Sequence, residues 1–387
     1  MSDMRIYFGY RTALQILRAA RPDGLAPATG QAREIPDYAP GKDQVEAAIA
    51  RVEALYSNVS IEQPVHILVG GASRCRVSAT CIPHMCATKL SGKSFYKLDG
   101  GIYVSTPALA FVHMAGQEKT LVSLMELGYE LCGSYGTRRT AATSAYQVAA
   151  LSSVREIRDY VAWNSSLRGT RRVSHVLPFL ADASASPRET KQALLLGLPK
   201  RYGGYGLGIP WMNYEVPTND AARAISGRRS FRCDLCWPDK KLDVEYQSKE
   251  NHVGEENRIR DSRRTNALIA MGWTVVCVTH DELNDFTATE TIAQSLRRHL
   301  RACPRVRIGD YHARKLRLRR RLGLPLRVGH AAYLQQNYDA PCEGRENEDE
   351  GGASEARTGG VTTKSCWNSV KVKFPYDGEA PMRSKFA

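Results

Sequence analysis

The sequence predicts an α/β chain, and three features carry that reading. Short apolar runs bounded by Pro and Gly, such as PVHILVGG (64–71) and WTVVCVT (273–279), read as buried strands. Helical segments are opened by capping signals. The alternating stretch FRCDLCWPDKKLDVEYQ (231–247) reads as a hairpin.

In chain order, helical patterns cover residues 12–20 and 44–55, separated by a Pro/Gly/Asp loop. GGIYVSTPALAFVHMAG reads as a strand and then a helix, with Ser105-Thr106 at its start and Pro107 near N1. VREIRDYVAWNSSLRGTRRVSHVLPFLADA suggests two helices broken near Arg168-Gly169. In SPRETKQALLLGLP, Ser186 as cap, Pro187 at N1 and Glu189 at N3 make the S-x-x-E capping box. The Gly-rich RYGGYGLGIP follows and reads as a mobile loop near a substrate. After the hairpin come a helix over 255–271 with Gly272 as its C-cap, the strand WTVVCVT, and a helix to about 301 opened by Thr287 and Glu290. From about 335 onward the chain is polar and aperiodic, which predicts disorder. The expected organisation is an α/β domain over 1–140, a helical connector over 141–180, a second domain with a basic extension over 181–330, and a disordered tail over 331–387.

The 387 residues suffice for two or three domains. No stretch is long and apolar enough to span a bilayer, and the N-terminus lacks the pattern of a secretory signal. Ten cysteines without such a signal suggest free thiols and a cytoplasmic protein. The net charge of +14 points to an anionic partner, with nucleic acid the usual one. Much of the excess lies in SLRRHLRACPRVRIGDYHARKLRLRRRLGLPLR (295–327). Arginine dominates there, and guanidinium forks match phosphate oxygens, so the segment reads as a phosphate-tracking surface.

Pairing the hairpin across residues 238–241 sets Trp237 opposite Leu242, Leu235 opposite Val244 and Cys233 opposite Tyr246 on one apolar face. On the other face Asp234 falls opposite Glu245, and Arg232 opposite Gln247. Cross-strand partners have Cβ atoms about 4.5–5.5 Å apart, where like charges destabilise. Protonation, Arg232 or a hard divalent cation would relieve the pair. Mg²⁺ suits one or two carboxylates, so Asp234, Glu245 and the Tyr246 carbonyl are candidate ligands. An ordinary amphipathic hairpin with solvated acids is the bland alternative.

The order of these residues resembles the PD-(D/E)XK nuclease superfamily, and more narrowly the very-short-patch-repair-like (DUF559) endonuclease domains. The matching phrases are SPRETKQALLL, RCDLCWPDKKLDVEYQS, the histidine at 252, RIRDSRRTNALIAMGWTVVCVT and the following DEL, over roughly 180–300. The resemblance implies a restriction-endonuclease-like domain with a mixed central sheet flanked by helices, acting as a Mg²⁺- or Mn²⁺-dependent DNA endonuclease. It implies Glu189 as an accessory acid, Asp234 and Glu245 as metal ligands, Gln247 at the third motif position, and His252 near water or phosphate. Arg258, Arg263 and Arg264 would hold the DNA backbone. Gln247 departs from the acid or lysine usual at its position and cannot serve as a base near pH 7, so a degenerate DNA-binding regulator is the alternative. PVHILVGG, His84, GGIYVSTPALAFVHMA and LVSLMELGYELCGSY are similar to the C-terminal regions of AbiEi-type antitoxins, which implies a bacterial defence or regulatory setting.

Other features count against themselves. Cys233 and Cys236 form a C-x-x-C, but residues three apart on a regular strand point to opposite faces, which argues against zinc. His66, His84 and His113 lie scattered on apolar segments and read as structural. RYGGYGLGIP follows a helix and precedes a strand, the wrong context for a dinucleotide fingerprint.

Overall fold

The α/β expectation holds in the structure, a computed structural model that describes residues 5–28, 34–71, 77–90, 93–247, 255–302 and 308–326. These residues fall within one contact-defined unit, Met1–Arg327. The predicted tail at 331–387, and His252, lie outside the described residues. No helix among the described residues is long and apolar enough to cross a membrane.

The N-terminal part is built on a six-stranded mixed sheet. Its inner strand β1 (Ile6–Phe8) is wholly buried, parallel to β6 (Ile102–Ser105) and antiparallel to β3 (Val65–Val69). β5 (Phe95–Asp99) and β2 (Ala26–Pro27) extend the β6 side, and β4 (Cys81–Met85) closes the β3 side. β4 escapes a sequence reading because CIPHM contains Pro83; an edge strand tolerates the missing donor. Four helices accompany the sheet: α1 (Tyr10–Ala20), α2 (Lys42–Leu55), α3 (Pro107–Ala115) and α4 (Leu121–Leu131). Thr106 caps α3, accepting the Leu109 N–H, and Pro107 occupies its first turn.

A two-stranded ribbon, β7 (Tyr135–Gly136) and β8 (Ala145–Tyr146), leads into α5 (Val154–Trp163) and α6 (Thr170–Val176). Both helices pack against α3. The break between them falls at Gly169, as expected. Its φ is +107°, and a Cβ there would lie 2.1 Å from the Val112 carbonyl oxygen, so only glycine fits.

The second part begins at α7 (Pro187–Gly197). It continues through β9 (Trp211–Pro217), α8 (Asp220–Ser226), β10 (Ser230–Trp237), β11 (Leu242–Gln247), α9 (Glu255–Ala270) and β12 (Thr274–Thr279). The strands form a mixed sheet in the order β12-β11-β10-β9, with β11 antiparallel to β10 and parallel to β12. Short α10 (His280–Asn284), then α11 (Phe286–Leu300) and α12 (Tyr311–Arg321) complete it. α11 is capped by Asp285, which accepts the Ala288 N–H at 2.8 Å, and not by Thr287. The intervening α10 turns the chain so that Asp285 is the last residue with extended dihedrals.

The hairpin is not half-exposed. On one face Met212, Leu235, Leu242, Val244 and Val278 join the main core, which runs from Ile6 to Leu324. On the other, Phe231, Cys233 and Cys236 pack with Ala222 of α8 and Ala267 and Leu268 of α9. Helix α9 lies over the face that the alternation marks as polar, so the acids on it are withdrawn from water.

The basic C-terminal segment is also partly internal. Lys315 and Glu290 are 1% and 3% exposed and form an ion pair of 2.6 Å, to which the buried Tyr205 donates its hydroxyl. Arg319 is fully buried and donates to the carbonyls of Leu283 and Asn284, orphan acceptors at the end of α10. Tyr205 belongs to the Gly-rich loop, which is therefore anchored in the core. Of the arginines of α12, only Arg317, Arg320 and Arg321 remain exposed. Truncating Lys315 to Ala leaves Glu290 as a buried, unbalanced charge. The expected cost is about 3–5 kcal/mol in denaturant unfolding, largely recovered when Glu290 is also replaced by Leu.

Candidate functional site

The predicted register is correct where the ladder exists: Leu235 pairs Val244, Cys236 pairs Asp243 and Trp237 pairs Leu242. The ladder then stops. On the other side of β10, Cys233 pairs Tyr214 and Leu235 pairs Met212, while Asp234 and Asn213 between them are not bridged. Asn213 adopts φ +48°, a left-handed conformation that Asn tolerates better than most residues. The strand alternation is broken at this point, so Cys233 and Cys236 belong to the same apolar cluster despite their spacing.

β10 and β11 part at Asp234. There a side chain replaces a missing ladder bond: the Asp234 carboxylate accepts the Tyr246 N–H at 2.9 Å. Glu189, in the first turn of α7, adds a third acid. Its carboxylate accepts from the Ala185 N–H at 3.0 Å, the Ser186 hydroxyl at 2.9 Å and the Asn213 amide at 2.8 Å. The capping box is thus shifted by one residue, from the Ser186 to the Ala185 N–H. Burial pushes Glu189 up, its hydrogen bonds pull it down, and Glu245 pushes it up again. Burial, then Glu245, then Glu189 raise Asp234 well above the usual carboxylate range. Glu189, Asp234 and Glu245 therefore converge from three elements and repel one another.

Glu245 has a cation of its own. Arg264 of α9 forks onto both its oxygens at 2.6 and 2.5 Å and also donates to the Arg232 carbonyl. Burial alone would raise Glu245; Arg264 holds it below the ordinary range. Arg264, expected on a phosphate backbone, is thus turned inward. Asp243, read from sequence only as one more polar residue of β11, is fully buried and raised by burial and by its contact with Glu245. One donor atom each of Cys233, Asp243 and Glu245 lie within 4.8 Å of one another. Gln247 ends β11, half-buried and paired with Thr279 of β12.

Arg258 and Arg263 are exposed on α9. Beside them opens a cleft of ≈ 780 Å³ between α8, the start of β10 and α9. Arg228, Arg232, Arg260, Arg263 and Arg264 line it, with Asp261 the one acid and Phe231 and Ile259 the apolar surface. Arg264 belongs both to this cleft and to the acid cluster. Arg258 is not part of the lining.

The three histidines are not scattered. His66 Nδ1 and His84 Nε2 are 2.7 Å apart, Tyr10 stacks on His84 with ring centroids 3.8 Å apart, and His113 Nε2 lies 3.7 Å from Cys86 Sγ. Tyr10 carries φ +51°. Burial lowers His84 and His113 to about 4, so both imidazoles are neutral. The missed signal was β4: once it pairs with β3, His84 stands opposite Leu68, two residues from His66.

The chain is 31% identical over 156 residues to two Mycobacterium tuberculosis proteins, Uncharacterized protein Rv2248 of strain H37Rv and Uncharacterized protein MT2308 of strain CDC 1551. The match covers 39% of this chain and 52% of each relative, so the chain spans about half the length of the curated relatives it matches. No family model matches the chain. No solved structure matches it.

Two outcomes follow from these electrostatics. A carboxyl raised by the fold binds protons more readily folded than unfolded, so it lowers stability as pH rises above its unfolded value. Asp234→Asn keeps an acceptor for the Tyr246 N–H, and should be more stable than wild type at pH 7 by about 0.5–2 kcal/mol, the gain shrinking in acid. A depressed histidine acts oppositely: its contribution is complete above 6.5 and lost as pH falls towards about 4. Thermal midpoints of His84→Gln should therefore fall less steeply across that window than those of wild type.

Proposed function

We propose that the chain is a metal-dependent DNA endonuclease of the PD-(D/E)XK class, hydrolysing phosphodiester bonds with an activated water. The observation that carries this reading is the convergence of Glu189, Asp234 and Glu245 where β10 and β11 part, next to an arginine-lined cleft. The donor set fits a hard divalent cation, Mg²⁺ or Mn²⁺: its atoms are carboxylate oxygens, and their mutual repulsion marks a local deficit of positive charge. Asp234 and Glu245 would hold the ion, with Glu189 beside them. Such an ion supplies Lewis acidity and an acidified water.

The chain's own residues do the rest. Arg228, Arg232, Arg260 and Arg263 neutralise phosphates and set the strand's path along the cleft. Phe231 and Ile259 offer apolar surface to sugars or bases. Gln247 orients water through its amide, since it has no basic atom near pH 7. Arg264 must release at least one oxygen of Glu245 for that carboxylate to serve.

A second reading, a DNA-binding regulator that does not cut, is favoured by one observation: both oxygens of Glu245 are already taken by Arg264. Incubation of supercoiled DNA with the protein and Mg²⁺ or Mn²⁺ separates the two. Metal-dependent nicking that falls about 100-fold or more in Asp234→Ala and Glu245→Ala supports the enzyme. Salt-sensitive binding with no cleavage under any metal supports the regulator. In either case Arg263→Ala should reduce the slope of log affinity against log salt by about 1.

A further inference from the structure

The C-x-x-C set aside on strand geometry takes on a different meaning once the pairing break at Asp234 is known. Cys233 and Cys236 are both fully buried and pack in the same cluster. Cys236 is the register partner of Asp243 on β11. Asp243 is 0% exposed, no described N–H donates to its oxygens, and their close polar neighbours are the Cys233 thiol and the Glu245 carboxylate. One guanidinium nitrogen of Arg264 stands 3.9 Å from it, 4.0 Å from Cys233 Sγ and 2.5 Å from Glu245, so an ion bound here would take the place of that guanidinium. A buried carboxylate left this way is costly unless a proton or a cation neutralises it. Cys233, Asp243 and Glu245 already present donor atoms within 4.8 Å of one another.

We propose that Cys233, Cys236, Asp243 and Glu245 are the donors of a closed site for a thiolate-binding divalent cation of the Zn²⁺ class. The three donors that already converge, with the Cys236 thiol brought in from the same buried cluster, meet the fourfold demand of a structural zinc site, whereas Mg²⁺ and Ca²⁺ take oxygen donors. Thiolates select zinc among the common divalent ions. Cys233, Cys236 and Asp243 are fully buried and Glu245 is largely so, which suits a structural ion. Binding releases the thiol protons, and the proton that Asp243 otherwise shares with Glu245, to solvent. The position bridges β10 and β11 on the side facing α9, so an ion would tie together the two strands that part at Asp234. Glu245 is the one donor this set has in common with the acids of the proposed nuclease site. The inference does not depend on cleavage, and its test does not read cleavage.

The full chain, purified without chelator, should carry about one zinc per molecule by elemental analysis. Titration of the metal-stripped chain with Co²⁺ should produce a thiolate-to-metal charge-transfer band that Zn²⁺ abolishes. The band should be lost in Cys236→Ser, and Asp243→Asn should weaken zinc binding tenfold or more while circular dichroism stays unchanged. Because either variant could fail to fold, the wild-type titration is decisive by itself. The absence of both zinc and the cobalt band from the wild-type chain overturns the proposal. So does recovery of Cys233 and Cys236 as equally alkylatable thiols with saturating Zn²⁺ present.

Discussion

The second half of the molecule depends on one constraint: β10 cannot follow both of its neighbours past Asp234. Asn213 takes a left-handed conformation on one side, and the β11 ladder ends on the other. A backbone group that would have paired in a ladder is satisfied instead by a carboxylate, the Tyr246 N–H by Asp234. Asp234 is held at this point because its oxygen completes the hydrogen bonding of a broken sheet. The same break rotates Cys233 towards Cys236 and brings the Asn213 amide to Glu189.

Burial turns that local geometry into chemistry. If all were ionised, Glu189, Asp234, Asp243 and Glu245 would place four negative charges against the Arg264 guanidinium, the one cation ion-paired to them among the described residues. At interior dielectric such a balance is untenable, so some of the acids hold protons or the cluster recruits positive charge. The arginines that might have balanced them face the cleft instead. Charge is thus separated across a short distance, acids inside and guanidinium groups at the mouth, with α9 as the wall between.

Much of this was legible in the sequence. The turn PDKK and the alternation around it fixed the hairpin register, and S-x-x-E placed Glu189 at the start of a buried helix. What was not legible has physical causes. Alternation predicts which residues share a face only while the ladder is regular, so a break at Asn213 and Asp234 defeats the parity argument applied to the C-x-x-C. Composition cannot distinguish a surface arginine from Arg319, because a guanidinium is also a good partner for orphan carbonyls at a helix end. Periodicity does not reveal that a polar-looking face will be covered by a helix twenty residues on, and so Asp243 went unnoticed. The histidine cluster was hidden because a proline masked the strand that supplies His84.

Arg264 sits in two environments at once, and this has a thermodynamic consequence. The guanidinium that lines the cleft is the one that holds Glu245. An anion drawn to it from the cleft would weaken its grip on Glu245, and the cation proposed at Glu245 would free it for the anion. Linkage makes the two effects equal in magnitude, whichever ligand arrives first. On the proposed reading, occupancy of the cleft and ion affinity of the interior would be one coupled equilibrium, carried by a single side chain.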